Sequence, residues 1–133
     1  MISGHCHCNA VQWTYLAHID EATICNCSAC RRYGALWAYG YDGEDVRIAA
    51  PQDRLSSHIW GSRSLSFDFC NNCGNLVCWR GLHTSESGKR RIAVNLRLAE
   101  PEDIAQVPLR RFDGLGSFED LPLDGRRVGD VWF

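Results

Sequence analysis

Apolar and polar positions alternate along this chain in short runs of period two. Val11, Trp13 and Tyr15 form one such set, and Leu65, Phe67 and Phe69 form another. Residues two apart on an extended strand point the same way, so each set faces one side of a sheet. β-branched and aromatic runs, broken by Gly, Asp, Asn and Ser, predict strands over residues 10–19, 21–25, 36–41, 46–49, 55–60, 64–70, 76–80 and 91–96. Helical signals are few. One short turn is expected after Cys30, and another at Pro101, with Glu102 and Asp103 in its first turn. The stretch after Pro108 is punctuated by Gly and Pro, and residues 111–133 read as an irregular C-terminal wrap. Phe112, Leu115, Phe118, Leu121, Val131, Trp132 and Phe133 predict that this wrap packs against the body. The expected class is mainly β, built from short antiparallel strands.

The 133 residues suit a single domain spanning 1–133, with no internal repeat. A formal net charge of −2 argues against a nucleic-acid or anionic-membrane partner. Lys89 is the only lysine. The preference for arginine fits either a compositional bias or bidentate carboxylate recognition. The amino terminus has no basic region followed by an apolar run, and no stretch is long enough to cross a bilayer. A cytoplasmic location is therefore expected, where disulfides are uncommon.

The eight cysteines change this picture most. Seven fall in three clusters: Cys6-x-Cys8, Cys25-x-Cys27-x-x-Cys30 and Cys70-x-x-Cys73-Gly74. A disulfide framework is opposed by the chain length, by the missing leader and by the tight spacing, so metal binding is expected. Cys70 and Cys73, with a glycine free to take positive φ, form a knuckle that supplies half of a tetrahedral zinc site. Cys6 and Cys8, read as i and i+2 of an extended strand, supply the other half. A four-cysteine site has no open position and serves structure.

Cys25, Cys27 and Cys30 place three thiolates on six residues and leave a fourth position for water or a substrate sulfur, the layout of catalytic zinc. Arg31 and Arg32 follow and are candidates to bind a ligand carboxylate. The competing reading closes this site with His5, His7, His58, His83 or Cys78. Iron–sulfur ligation is the other metal reading, but the spacing does not match the common ferredoxin runs. Cys78, within Leu76-Val77-Cys78-Trp79, reads as a buried small hydrophobe. Trp37, Tyr39 and Tyr41 either line a pocket beside the middle cluster or form a half-buried strand face.

Three linked segments carry a family resemblance. Gly4-His5-Cys6-His7-Cys8-x-Ala10-Val11, Cys25-Asn26-Cys27-Ser28-x-Cys30-Arg31-Arg32 and Phe69-Cys70-x-x-Cys73-Gly74 resemble the signature of the glutathione-dependent formaldehyde-activating enzymes, the family that includes centromere protein V. The resemblance spans about residues 3–110. Asn9 stands where that family usually has glycine, and asparagine tolerates left-handed backbone geometry. The resemblance implies a β-tent fold similar to methionine-sulfoxide reductase B. It implies a structural zinc on Cys6, Cys8, Cys70 and Cys73, and a second zinc on Cys25, Cys27 and Cys30. The implied activity is a carbon–sulfur lyase that joins formaldehyde to glutathione as S-hydroxymethylglutathione. Two rivals stand beside it. One is a non-catalytic zinc module that binds a thiol metabolite or a protein partner. The other is a reductase-like redox enzyme using Cys78.

Overall fold

The computed structural model describes all 133 residues, the side chain of Trp132 excepted. Ten strands make two sheets. β1 (Ile2–His5), β2 (Gln12–Tyr15) and β5 (Val46–Ala49) form a small antiparallel sheet in the order β1-β2-β5. The larger sheet has the order β10-β3-β4-β9-β8-β7-β6, with β3 (Ala22–Cys25), β4 (Trp37–Tyr41), β6 (Leu55–His58), β7 (Leu65–Cys70), β8 (Leu76–Thr84), β9 (Arg90–Asn95) and β10 (Leu109–Phe112). All its pairings are antiparallel except β10 with β3, which is parallel.

The pleat divides the larger sheet into two apolar faces. Ala38, Val94 and Cys78 share one row by register and pack with Val11, Trp13, Tyr15 and Val46 of the small sheet into the main core. Tyr39, Ala93 and Trp79 share the next row and face the opposite side, where Cys30, Trp37, Phe67 and Leu76 form a second cluster. A slip of one residue would exchange the two sets, so burial on both sides locks the register.

Each predicted strand exists, with ends shifted by a few residues. Three expectations are corrected. Cys6 and Cys8 do not lie on an extended strand: β1 stops at His5, and the chain turns through His7 and Cys8. The Asn9 amide closes that turn on the Cys6 carbonyl at 2.7 Å, with Asn9 at φ 63°. The predicted strand through Trp60 ends at His58, leaving Trp60 in a loop. The C-terminal wrap is also more regular than expected. β10 ends inside it, and α3 (Val128–Trp132) follows.

β10 escaped the pattern because Arg110 and Arg111 interrupt its apolar ends. Their charges are matched only in the fold. Arg110 pairs with Glu21 and Asp120, and Arg111 with Asp124. The turn expected after Cys30 is the helix α1 (Ser28–Tyr33), which begins before that cysteine. The turn at Pro101 is α2 (Pro101–Ile104).

Candidate metal centres and the cavity beside them

Two knuckles build the first cluster. The Gly74 amide donates to the Cys70 carbonyl at 2.7 Å, with Gly74 at φ 82°, as the Asn9 amide does to Cys6. The Asn75 side chain accepts the His7 amide at 2.7 Å and ties one knuckle to the other. The sulfurs of Cys6, Cys8, Cys70 and Cys73 all lie within 4.8 Å of one another. Cys8 Sγ is 3.6 Å from both Cys6 Sγ and Cys70 Sγ. Four sulfurs at 2.3 Å from one tetrahedral zinc would be about 3.8 Å apart, so the donor set fits that ion. Cys6 Sγ also accepts the Val11 amide at 3.3 Å. The Asn72 side chain holds the Cys8 thiol down to about 6.

The second cluster comes from one strand end, one cap and one helical turn. Cys25 is the last residue of β3, Cys27 is the N-cap of α1, and Cys30 lies in its first turn. Their sulfurs also lie within 4.8 Å of one another. Each accepts an N–H: Cys25 from the Cys27 amide at 3.4 Å, Cys27 from the Cys30 amide at 3.3 Å, and Cys30 from Trp37 Nε1 at 3.4 Å. Such donors favour thiolate and orient it, as the outer partners of metal ligands commonly do. The Cys30 thiol donates to Cys25, which holds Cys25 down to about 6 and drives Cys30 far up. A bound cation would displace the shared proton. Three sulfurs at these distances suit a tetrahedral metal such as zinc.

Among the described residues, no His, Cys, Asp or Glu joins these three as a fourth ligand. His5, His7, His58 and His83 are exposed and belong to neither cluster. Cys78 is fully buried in the main core, and burial pushes its thiol up to about 12, the reverse of activation. The three sulfurs open instead on a cavity of about 330 Å³. Its floor is the second face of the large sheet, where Trp37, Tyr39, Phe67 and Trp79 present their rings. Tyr41 does not line it. Nor do Arg31 and Arg32, which are exposed on α1, where Arg32 Nη1 donates to the Ser28 carbonyl at 2.9 Å.

The cavity's roof is the part that sequence reasoning missed. It comes from the loop carrying Trp60 and from Phe112, Gly114 and Phe118 in the tail. Parallel pairing sets Phe112 beside Cys25. Asp113 then clamps the loop to the middle cluster. Its carboxylate accepts Asn26 Nδ2 at 2.9 Å, the Gly116 amide at 3.1 Å, and the Ser117 amide and hydroxyl at 3.0 and 3.1 Å. These bonds, the Ser117 amide first, hold the carboxyl down to about 2. Asn26 Oδ1 in return accepts the Leu115 amide at 2.9 Å. Phe118, at φ 59°, stacks edge-on against Phe112 at 5.0 Å. The only hint in the sequence was Asn26 between two ligand cysteines, a polar side chain able to fasten a second segment there.

Gly114 approaches so closely that a Cβ would lie 2.8 Å from Cys25 Sγ and 2.9 Å from Cys27 Cβ. Gly114→Ala is therefore expected to push the loop off the cluster at a cost of about 1–3 kcal/mol. A chelator should then strip metal faster from the middle cluster and at an unchanged rate from the four-cysteine cluster. Following metal release in two phases would check this.

The fold and the clusters define a small, mainly β protein with two separate cysteine sites able to hold metal ions. The sequence model for the glutathione-dependent formaldehyde-activating enzyme matches residues 1–107, and the chain belongs to this family. A crystal structure of a Rhodobacter sphaeroides protein is 29% identical and superposes with a TM-score of 0.61, covering 81% of this chain and 99% of that one. No curated protein matches the chain. No helix is long and apolar enough to cross a membrane.

Proposed function

We propose that the protein is a zinc-dependent carbon–sulfur lyase that makes or breaks a thiol adduct at Cys25, Cys27 and Cys30. The family match supports glutathione as the thiol and formaldehyde as the carbon partner, with S-hydroxymethylglutathione as their adduct. One observation carries the reading: three clustered sulfurs, without a fourth protein ligand among the described residues, face a cavity rather than solid core. Cys6, Cys8, Cys70 and Cys73 hold a second zinc that serves the fold. The reaction belongs in the cytoplasm, where the thiols stay reduced.

A zinc ion on the middle cluster supplies Lewis acidity that lowers the pKa of a coordinated thiol and favours its thiolate. The remaining work falls to the chain. The Cys27 and Cys30 amides and Trp37 Nε1 donate to the ligand sulfurs and fix their orientation. Burial pushes the Tyr39 phenol up to about 12, so it stays protonated at neutral pH. Tyr39 Oη donates a hydrogen bond to the oxygen on the adduct carbon, which gains negative charge as the C–S bond forms. Arg31 and Arg32 hold the thiol's carboxylates outside the cavity.

Cobalt in place of zinc makes the first step visible. Glutathione is expected to shift the absorption of cobalt at the middle cluster and to leave that at the four-cysteine cluster unchanged. No shift at saturating glutathione would defeat the lyase reading. A shift without acceleration of adduct exchange would instead identify a thiol-binding zinc module.

A further inference from the structure

We propose that the carbon partner handled at the middle cluster is an aldehyde bearing an apolar, aromatic-sized group, rather than formaldehyde itself. This rests on the reading of Cys25, Cys27 and Cys30 as a thiol-adduct site. The cavity beside them measures about 330 Å³. An apolar cavity of about 150 Å³ is enough to hold benzene. Formaldehyde has two heavy atoms and would leave most of this space unfilled.

The lining chemistry points the same way. Floor and roof each present aromatic rings, Trp37, Phe67 and Trp79 below and Trp60, Phe112 and Phe118 above. Apart from the three cluster cysteines, no acidic or basic side chain lines the cavity among the described residues, and Tyr39, Ser62 and Ser64 carry its side-chain hydroxyls. Glutathione carries two carboxylates and an ammonium group at the ends of the two arms that flank its cysteine. Burying them here would leave them unpaired, at a large desolvation cost. The peptide arms therefore leave through the mouth, and the interior receives what is attached to the adduct carbon. The nearest cation over the floor rings is Arg91, exposed and 5.7 and 5.8 Å from the Tyr39 and Trp79 centroids. It covers the outer edge of the aromatic wall.

The roof residues Phe112, Gly114 and Phe118 also lie beyond residue 107, where the family match ends. Part of the roof is thus contributed by a segment outside the family match, while the floor and the Trp60 loop lie within it.

The step is the reversible cleavage of a hemithioacetal. The C–S bond breaks with its electron pair moving to sulfur, and the hydroxyl on carbon loses its proton as the carbonyl forms. The sulfur takes up a proton to give the free thiol. Atoms and electrons balance without an oxidant or reductant.

The test compares three pairs on the zinc-loaded protein, following hemithioacetal exchange by NMR. The pairs are glutathione with phenylacetaldehyde, glutathione with formaldehyde, and phenylmethanethiol with formaldehyde. The first is expected to show kcat/KM at least about tenfold above the second, since a filled apolar pocket discriminates by roughly that much or more. Trp60→Ala, a change at a loop residue 39% exposed, should reduce the preference. Independently of turnover, 2-phenylethanol should quench tryptophan fluorescence saturably, and ethanol should not. Formaldehyde turned over as fast as phenylacetaldehyde would overturn the aldehyde assignment and leave the lyase reading intact. The best rate with phenylmethanethiol would overturn it by placing the apolar group on the thiol. No acceleration with any pair would overturn both.

Discussion

Cys27→Ser is expected to leave a folded protein that holds one zinc instead of two and has lost its activity. Serine is among the best N-cap residues, so its hydroxyl can replace Cys27 Sγ as the acceptor of the Cys30 amide at the start of α1. The helix therefore keeps its start while the metal site loses a thiolate. Losing a mere hydrogen-bond partner of a ligand costs about 10–100-fold in metal affinity or activity, and losing the ligand itself should cost more. Metal analysis, thermal unfolding and adduct exchange on the same preparation would separate these effects. A variant that retains two zincs and full turnover would remove the middle cluster from the mechanism.

Cys70→Ser should instead act on the fold. Cys70 is fully buried, ends β7, and joins a site whose other half is at the amino terminus. Closing so long a loop is entropically costly, and the metal offsets that cost. Structural zinc contributes about 10–16 kcal/mol to zinc-finger peptides, against a total stability of about 5–15 kcal/mol for an ordinary domain. Removing one of four ligands should therefore abolish cooperative folding or lower Tm by tens of degrees. Thermal unfolding of Cys70→Ser beside Cys27→Ser, each with and without a chelator, checks the contrast. A Cys70→Ser protein that unfolds cooperatively within a few degrees of wild type would show that the cluster is dispensable to the fold.

The two sites differ in how they could be read. The ligand spacing of both halves of the four-cysteine cluster was visible in sequence, but only Cys70-x-x-Cys73-Gly74 read as a knuckle, because the residue after its second cysteine is a local signal. Asn9 and Gly74 both adopt the positive φ that their turns require. The extended geometry expected at Cys6 and Cys8 was mistaken, since a hydrogen-bonded turn brings two near neighbours together as well as a strand does. At the middle cluster the three sulfurs were equally legible. Their outer partners were less so: Trp37 Nε1 reaches Cys30 from the next strand, seven residues away. Cys78 was read correctly as core because an apolar run surrounds it.

The cavity was legible only in part. Trp37 and Tyr39 were candidates to line it, but Phe67 and Trp79 reach it from β7 and β8, and Trp60 from a loop. Arg31 and Arg32, adjacent to Cys30 in sequence, are carried away from it by the turn of α1.

Taken alone, the sequence determined the mainly β class, the grouping of seven cysteines and their division into a set of four and a set of three. Periodicity and ligand spacing act over a few residues, and the side chains themselves express them. Only the tertiary structure decided that the set of three faces open space and that the tail supplies the roof. The parallel pairing of β10 with β3 links segments more than eighty residues apart, and the Asp113 clamp to Asn26 spans a similar distance. No local pattern encodes such a contact. Beside β3, Leu109 is buried and Arg110 meets Glu21.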